Sequence, residues 1–161
     1  MILIVMGVVG AGKTTIGRLL AQELGWQFAD ADNFHSPANI EKIRRGLPLS
    51  DEDRRPWLDR LRKLLIDSIA LDRDLVLACS ALKRSYRQIL QVGPEVRFVY
   101  LKGSPDLIAA RLHARHGHFA NEQILASQFA DLEEPGDTIT VDVSQPSHEI
   151  VRKIRLQLGL A

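Results

Sequence analysis

The run Gly7-Val8-Val9-Gly10-Ala11-Gly12-Lys13-Thr14 constrains this chain more than any other stretch. Its pattern, G-x-x-x-x-G-K-T, is the spacing of a loop that wraps a polyphosphate in backbone N–H groups. Small residues let the backbone approach the anion closely, and glycine accepts the positive φ that a tight wrap needs. Lys13 places an ammonium near the β- and γ-phosphates, and Thr14 offers a hydroxyl to Mg²⁺. The flanks agree. Ile2 to Met6 is a short apolar run suited to a buried parallel strand. Ile16, Leu19, Leu20 and Leu24 then share one helical face, and Gly25 suits a helix stop. The candidate nucleotide-binding residues are therefore Gly7, Gly10, Ala11, Gly12, Lys13, Thr14 and Thr15, with ATP and Mg²⁺ as the implied ligands.

The remainder must supply a core and an acceptor site. At 161 residues, 45% hydrophobic and 25% charged, the chain has the composition of one globular domain spanning 1–161. Its net charge of +1 gives no general pull toward nucleic acid or membrane. A single cysteine, Cys79, excludes an internal disulfide and any multi-cysteine metal site. The apolar start is too short for a signal segment, and no run is long enough to span a bilayer, so a cytoplasmic location is expected.

Apolar runs and helical periodicities alternate along the chain. Trp26–Ala29 reads as a second strand. Ser36 and Pro37 read as the cap and first position of a helix reaching Arg45 and stopped by Gly46. Ser50-Asp51-Glu52-Asp53 resembles a capping box before a long amphipathic helix. Pro56 is expected to begin the main body of that helix, since a proline deep inside would break it. Leu75–Cys79 is a third strand with Ser80–Leu90 helical after it, and Val96–Leu101 a fourth. Ser104-Pro105-Asp106 opens a helix to about Arg115, broken at Gly117, and Asn121 can cap another to about Leu132. Thr138–Asp142 is a fifth strand before a closing helix from about Ser147. This alternation predicts an α/β fold of three αβα layers, with a five-stranded parallel sheet covered on both faces. Ligands in such sheets sit beyond the carboxyl ends of the strands.

Three further groups fall at those ends. Asp30 and Asp32 are two apart, and in an extended chain they point the same way. One could hold Mg²⁺, and the other could accept the proton of an attacking hydroxyl. Arg111 and Arg115 share a helical face beside Gly117 and His118. That suits a mobile lid over about 111–128, which excludes water and neutralises developing charge. Lys83, Arg84 and Arg87 fit either an anionic substrate or exposed helix charges, and composition does not choose. His113, His116 and His118 lack a carboxylate at ligand spacing, so they do not indicate a metal site. Cys79 reads as a small buried residue rather than a nucleophile.

Longer segments carry a resemblance. Asp30-Ala31-Asp32-Asn33-Phe34-His35, the stretch Asn39 to Leu49, Asp51-Glu52-Asp53-Arg54 with Pro56-Trp57-Leu58, and Cys79-Ser80-Ala81-Leu82-Lys83-Arg84 with Tyr86-Arg87 are similar to gluconate kinases. So are Gly117-His118-Phe119 and Ser127-Gln128-Phe129 with Leu132-Glu133-Glu134-Pro135. The resemblance covers nearly the whole chain and implies the fold shared by nucleoside-monophosphate kinases and shikimate kinases. It also implies ATP-dependent phosphorylation of D-gluconate at its 6-hydroxyl, and a homodimer is compatible with it. By residue, it implies a catalytic set of Lys13, Asp32, Arg111 and Arg115, and metal contacts at Thr14 and Asp30. Asp32, His35, Lys42, Arg54, Lys83, Arg87 and His118 would face the substrate, in a helical region of about 33–72 and the lid. Val9 departs from the pattern, where a serine is usual; the backbone cradle is unaffected by that change. The principal alternative is a shikimate kinase or another small-molecule kinase of the same fold. A shikimate kinase should carry a glycine run where Ser80-Ala81-Leu82-Lys83 stands. A guanine-nucleotide switch should carry N-K-x-D, which does not occur, and a nucleic-acid binder should show a basic stripe with aromatic platforms.

Overall fold

Alternation within each strand decides which face of the sheet its side chains cover. In the computed structural model, which describes residues 1–116 and 122–160, the central strand β1 (Ile2–Met6) is buried along its whole length. Leu3 and Val5 enter one core with Val76, Val99 and Val141, while Ile2, Ile4 and Met6 enter the other with Leu77 and Tyr100. Two apolar faces need two helical layers. The first core is closed by α1 (Lys13–Leu24), α5 (Pro105–His116), α6 (Glu122–Asp131) and α7 (Ser147–Leu158). The second is closed by α3 (Asp51–Ala70) and α4 (Arg84–Leu90), through Trp57, Leu58, Leu61, Leu65, Tyr86 and Leu90. A short α2 (Pro37–Arg44) stands between β2 and α3.

Among the described residues the sheet has five parallel strands in the order β2-β3-β1-β4-β5, with β2 Gln27–Asp30, β3 Leu75–Ala78, β4 Val96–Lys102 and β5 Ile139–Asp142. Ile2 pairs with Leu75 on one side and Val96 on the other, so the strand ends after β1 and β3 lie side by side. α1 presses close to the sheet at Gly17, where a Cβ would stand 2.8 Å from the Phe28 ring.

The expected caps are present. Ser36 accepts from the Asn39 N–H, and Ser50 and Asp53 form the reciprocal capping box. Two expectations are corrected. Pro56 lies inside α3, not at its start. It removes the bond to the Glu52 carbonyl, but Glu52 and Pro56 are both exposed, so water can serve that carbonyl. The segment after β3 is not helical from Ser80: Ala81 takes φ 45°, a left-handed turn that breaks the helix, and α4 begins at Arg84.

Candidate active site

The glycine loop joins β1 to α1 and leaves the start of α1 without its usual partners. Gly12 occupies the cap position in left-handed backbone, no side chain caps the helix, and its first turn holds no acidic residue. The opening N–H groups of a helix otherwise need acceptors, so this end is open to an anion. Gly10 is held at φ +81°, and a Cβ there would come within 2.9 Å of Leu112 on α5. Lys13 donates to the Val8 carbonyl at 3.0 Å. Burial lowers its pKa, with the charges of Asp32, Cys79 and Asp30 opposing that shift.

Asp30 and Asp32 reach the same cleft, but not through an extended chain. Residues 31–34 form a 3₁₀ turn, and the Asp30 carboxylate caps it by accepting from the Asp32 N–H at 2.9 Å. The other Asp30 oxygen accepts from the Thr14 hydroxyl at 2.9 Å. α3 fixes the turn from behind: Trp57 Nε1 donates to the Ala31 carbonyl at 2.7 Å and Arg60 to the Phe34 carbonyl at 2.8 Å. Asp32 keeps an exposed edge, yet the cleft walls and the Asp30 charge raise its pKa, against the pull of Lys13. A carboxyl so placed has greater proton affinity than a free aspartate.

A cavity of about 300 Å³ joins these groups to a second set. His35 stacks on Trp57 with ring centroids 4.4 Å apart, and its Nδ1 meets the Asn39 amide at 3.3 Å. Burial, with the charges of Arg54 and Arg60, lowers the His35 pKa to about 4, so the ring is neutral at physiological pH. Arg54 also lines the cavity, donating to the Tyr86 hydroxyl at 2.9 Å and meeting Asp131 at 3.5 Å. Its side chain is only 13% exposed. Arg115 lines the cavity too.

The other residues singled out in the sequence stand elsewhere. Lys42 pairs with Asp53 at 2.8 Å, and Lys83 pairs with Asp51 at 2.9 Å, where Tyr86 also donates. Arg87 donates to the carbonyls of Ala81, Leu82 and Glu133, tying down the turn after β3. Arg111 donates to the Val143 carbonyl, anchoring α5 to the segment after β5, and so parts from Arg115. None of these four lines the cavity. His118 lies outside the described residues, as do Gly117 and Asn121. Cys79 is buried, and desolvation pushes its thiol up to about 12.

The cavity also contains groups not marked by local sequence pattern. Gln128 of α6 accepts from the Val9 N–H at 2.6 Å, and Ser127 stands beside it. Leu47, Pro48 and Leu49 form an apolar edge. Gln128 belongs to the Ser127-Gln128-Phe129 stretch, but a lone glutamine on a helix carries no signal of its own.

The donor set fits a nucleotide with a hard cation. Thr14 and Asp30 supply oxygen atoms side by side, and no cluster of three acidic, histidine or cysteine residues occurs among the described residues. Paired oxygen donors suit Mg²⁺, which keeps water and phosphate oxygens as most of its ligands.

An uncapped helix behind a glycine loop, on a five-stranded parallel sheet, defines a P-loop kinase. The shikimate kinase family profile matches residues 9–158. The thermoresistant gluconokinase of Escherichia coli K12 is 42% identical, with 93% of this chain and 89% of that protein covered. The gluconokinase of Gluconobacter oxydans 621H is 47% identical, covering 84% of this chain and 76% of the relative. A crystal structure of a gluconokinase from Sinorhizobium meliloti 1021 superposes with a TM-score of 0.87 at 40% identity, covering 98% and 94% of the two chains. The chain belongs to the gluconokinase family. No helix among the described residues is long and apolar enough to cross a membrane.

Proposed function

We propose that the protein transfers the γ-phosphoryl group of ATP to the 6-hydroxyl of D-gluconate, giving 6-phospho-D-gluconate and ADP. The observation that carries this reading is one cavity lined by two unlike sets of residues. One set is the uncapped α1 start, Lys13 and the Thr14–Asp30 pair; the other is His35 and Arg54. The first set suits polyphosphate, and the second offers a cation and a neutral imidazole to a hydroxylated acid.

Asp32 lines the same cavity, and its role is to accept the proton of the attacking hydroxyl. Lys13 and the loop N–H groups hold negative charge as it shifts toward the leaving ADP oxygen. Bound Mg²⁺, touching Thr14 and Asp30, would supply further neutralisation of the phosphate oxygens. Arg54 suits the acceptor's carboxylate, because a guanidinium fork matches its two oxygens. His35 suits a hydroxyl, since a neutral ring both donates and accepts. Arg115, which lines the same cavity, suits the transferring phosphoryl.

Lys42, Lys83 and Arg87 act here as supports for the acceptor half, holding the capping box, α3 and the turn after β3. Arg111 holds α5 in the same sense. His118 is assigned to the acceptor through the family resemblance. The test is product identity: NMR of the reaction with gluconate and ATP should place phosphate on the terminal hydroxyl alone. Phosphate elsewhere on the chain of hydroxyls would overturn the placement of Asp32.

A further inference from the structure

One peptide unit of the glycine loop is gripped from both ends. Its carbonyl, from Val8, accepts the Lys13 ammonium at 3.0 Å; its N–H, from Val9, donates to Gln128 Oε1 at 2.6 Å across 119 residues of sequence. A backbone N–H can bond only to the carbonyl oxygen of a glutamine amide. The Gln128 NH₂ group is therefore turned away from Val9, and among the described residues its two donors have no protein acceptor. Lys13, Val9 and Gln128 all line the cavity. The acceptor best matched to donors beside the loop lysine is an oxygen of the terminal phosphate.

We propose that Gln128 reads the γ-phosphate. Its carbonyl fixes the Val8–Val9 peptide, and its NH₂ donates to a γ-phosphate oxygen, so that α6 distinguishes a triphosphate from a diphosphate. The inference rests on the reading of ATP as phosphoryl donor. It adds to that reading a residue on α6 that favours the triphosphate over the diphosphate. No covalent step is involved.

The test compares the affinity of a nonhydrolysable ATP analogue with that of ADP, in the presence of Mg²⁺, by calorimetry. Gln128→Met keeps the length of the side chain and removes both the donor and the acceptor for Val9. Gln128→Glu keeps the acceptor for Val9 but replaces the donor with an anionic oxygen. A hydrogen bond to a charged group is worth about a tenfold change or more in affinity. In Gln128→Met the analogue should therefore lose about tenfold more affinity than ADP does, any loss common to both being that of the Val9 contact. In Gln128→Glu the analogue should lose still more, and ADP should hold. An unchanged ratio of the two affinities in both variants would overturn the proposal. Equal loss for both nucleotides would also overturn it, because that is the mark of a distorted cradle. Wild-type binding of both nucleotides is the separate control: its failure would sink the ATP reading itself. Matching melting temperatures for the three proteins exclude misfolding as the cause of any loss.

Discussion

Asp32 and His35 sit three residues apart, and burial moves their pKa values in opposite chemical senses. Desolvation disfavours charge in both, raising the carboxyl and lowering the imidazole. Asp32→Asn keeps the shape and removes the proton acceptor. Turnover should fall by about 10²- to 10⁴-fold, the usual range for a general base, while affinity for an ATP analogue stays near wild type. Steady-state rates and calorimetry check this, and a loss confined to nucleotide affinity would make Asp32 a metal-site residue. His35 sets a pH dependence of stability. Its folded pKa of about 4 lies below the ordinary 6.5, so the unfolded chain takes up the proton first. Stability from this group is thus complete above pH 6.5, falls between 6.5 and 4, and is gone below. His35→Phe keeps a ring against Trp57 and cannot titrate. Its melting temperature should fall less than that of wild type across the same window, and parallel curves would contradict the assignment.

At the scale of elements, boundaries were legible wherever a residue forces a local conformation. Gly25 and Gly46 both adopt the left-handed backbone that ends a helix, and Ser36 and Ser50 cap as their spacing requires. Pro56 was misleading because its cost depends on whether the freed carbonyl faces water, and burial is not written in the local sequence. Ala81 was missed because alanine carries no mark of a left-handed turn; Arg87 and the neighbouring carbonyls impose it. The capping box of α3 also bears on the site, since α3 carries Trp57 and Arg54. Ser50→Ala should cost about 1 kcal/mol. For a chain of this size that is about 2–4 °C of melting temperature, read by calorimetry. No change in stability would mean that Lys42–Asp53 and water hold the helix start without the serine.

Across the whole molecule, the phosphate half of the cleft could be read from sequence because its residues are contiguous. Gly7 to Thr14 form one loop and the start of α1, and Asp30 at the end of β2 accepts from Thr14. The rest of the cavity lining draws on the segment after β2, α2, α3, α5 and α6, and only folding decides which of their charges line it. Arg54 does so, while Lys42, Lys83 and Arg87 are taken up by Asp53, Asp51 and backbone carbonyls. Sequence alone could not separate these four cations. The choice of acceptor is therefore the claim that rests on the most assembled part of the structure. It is tested by ADP release with D-gluconate, shikimate, AMP and related sugar acids at equal concentration with ATP and Mg²⁺. A site built to bond hydroxyls rejects analogues lacking them by about 10⁴-fold. Gluconate should therefore dominate kcat/KM, with shikimate and AMP near background. Efficient turnover of shikimate or AMP, with gluconate inert, would contradict the account.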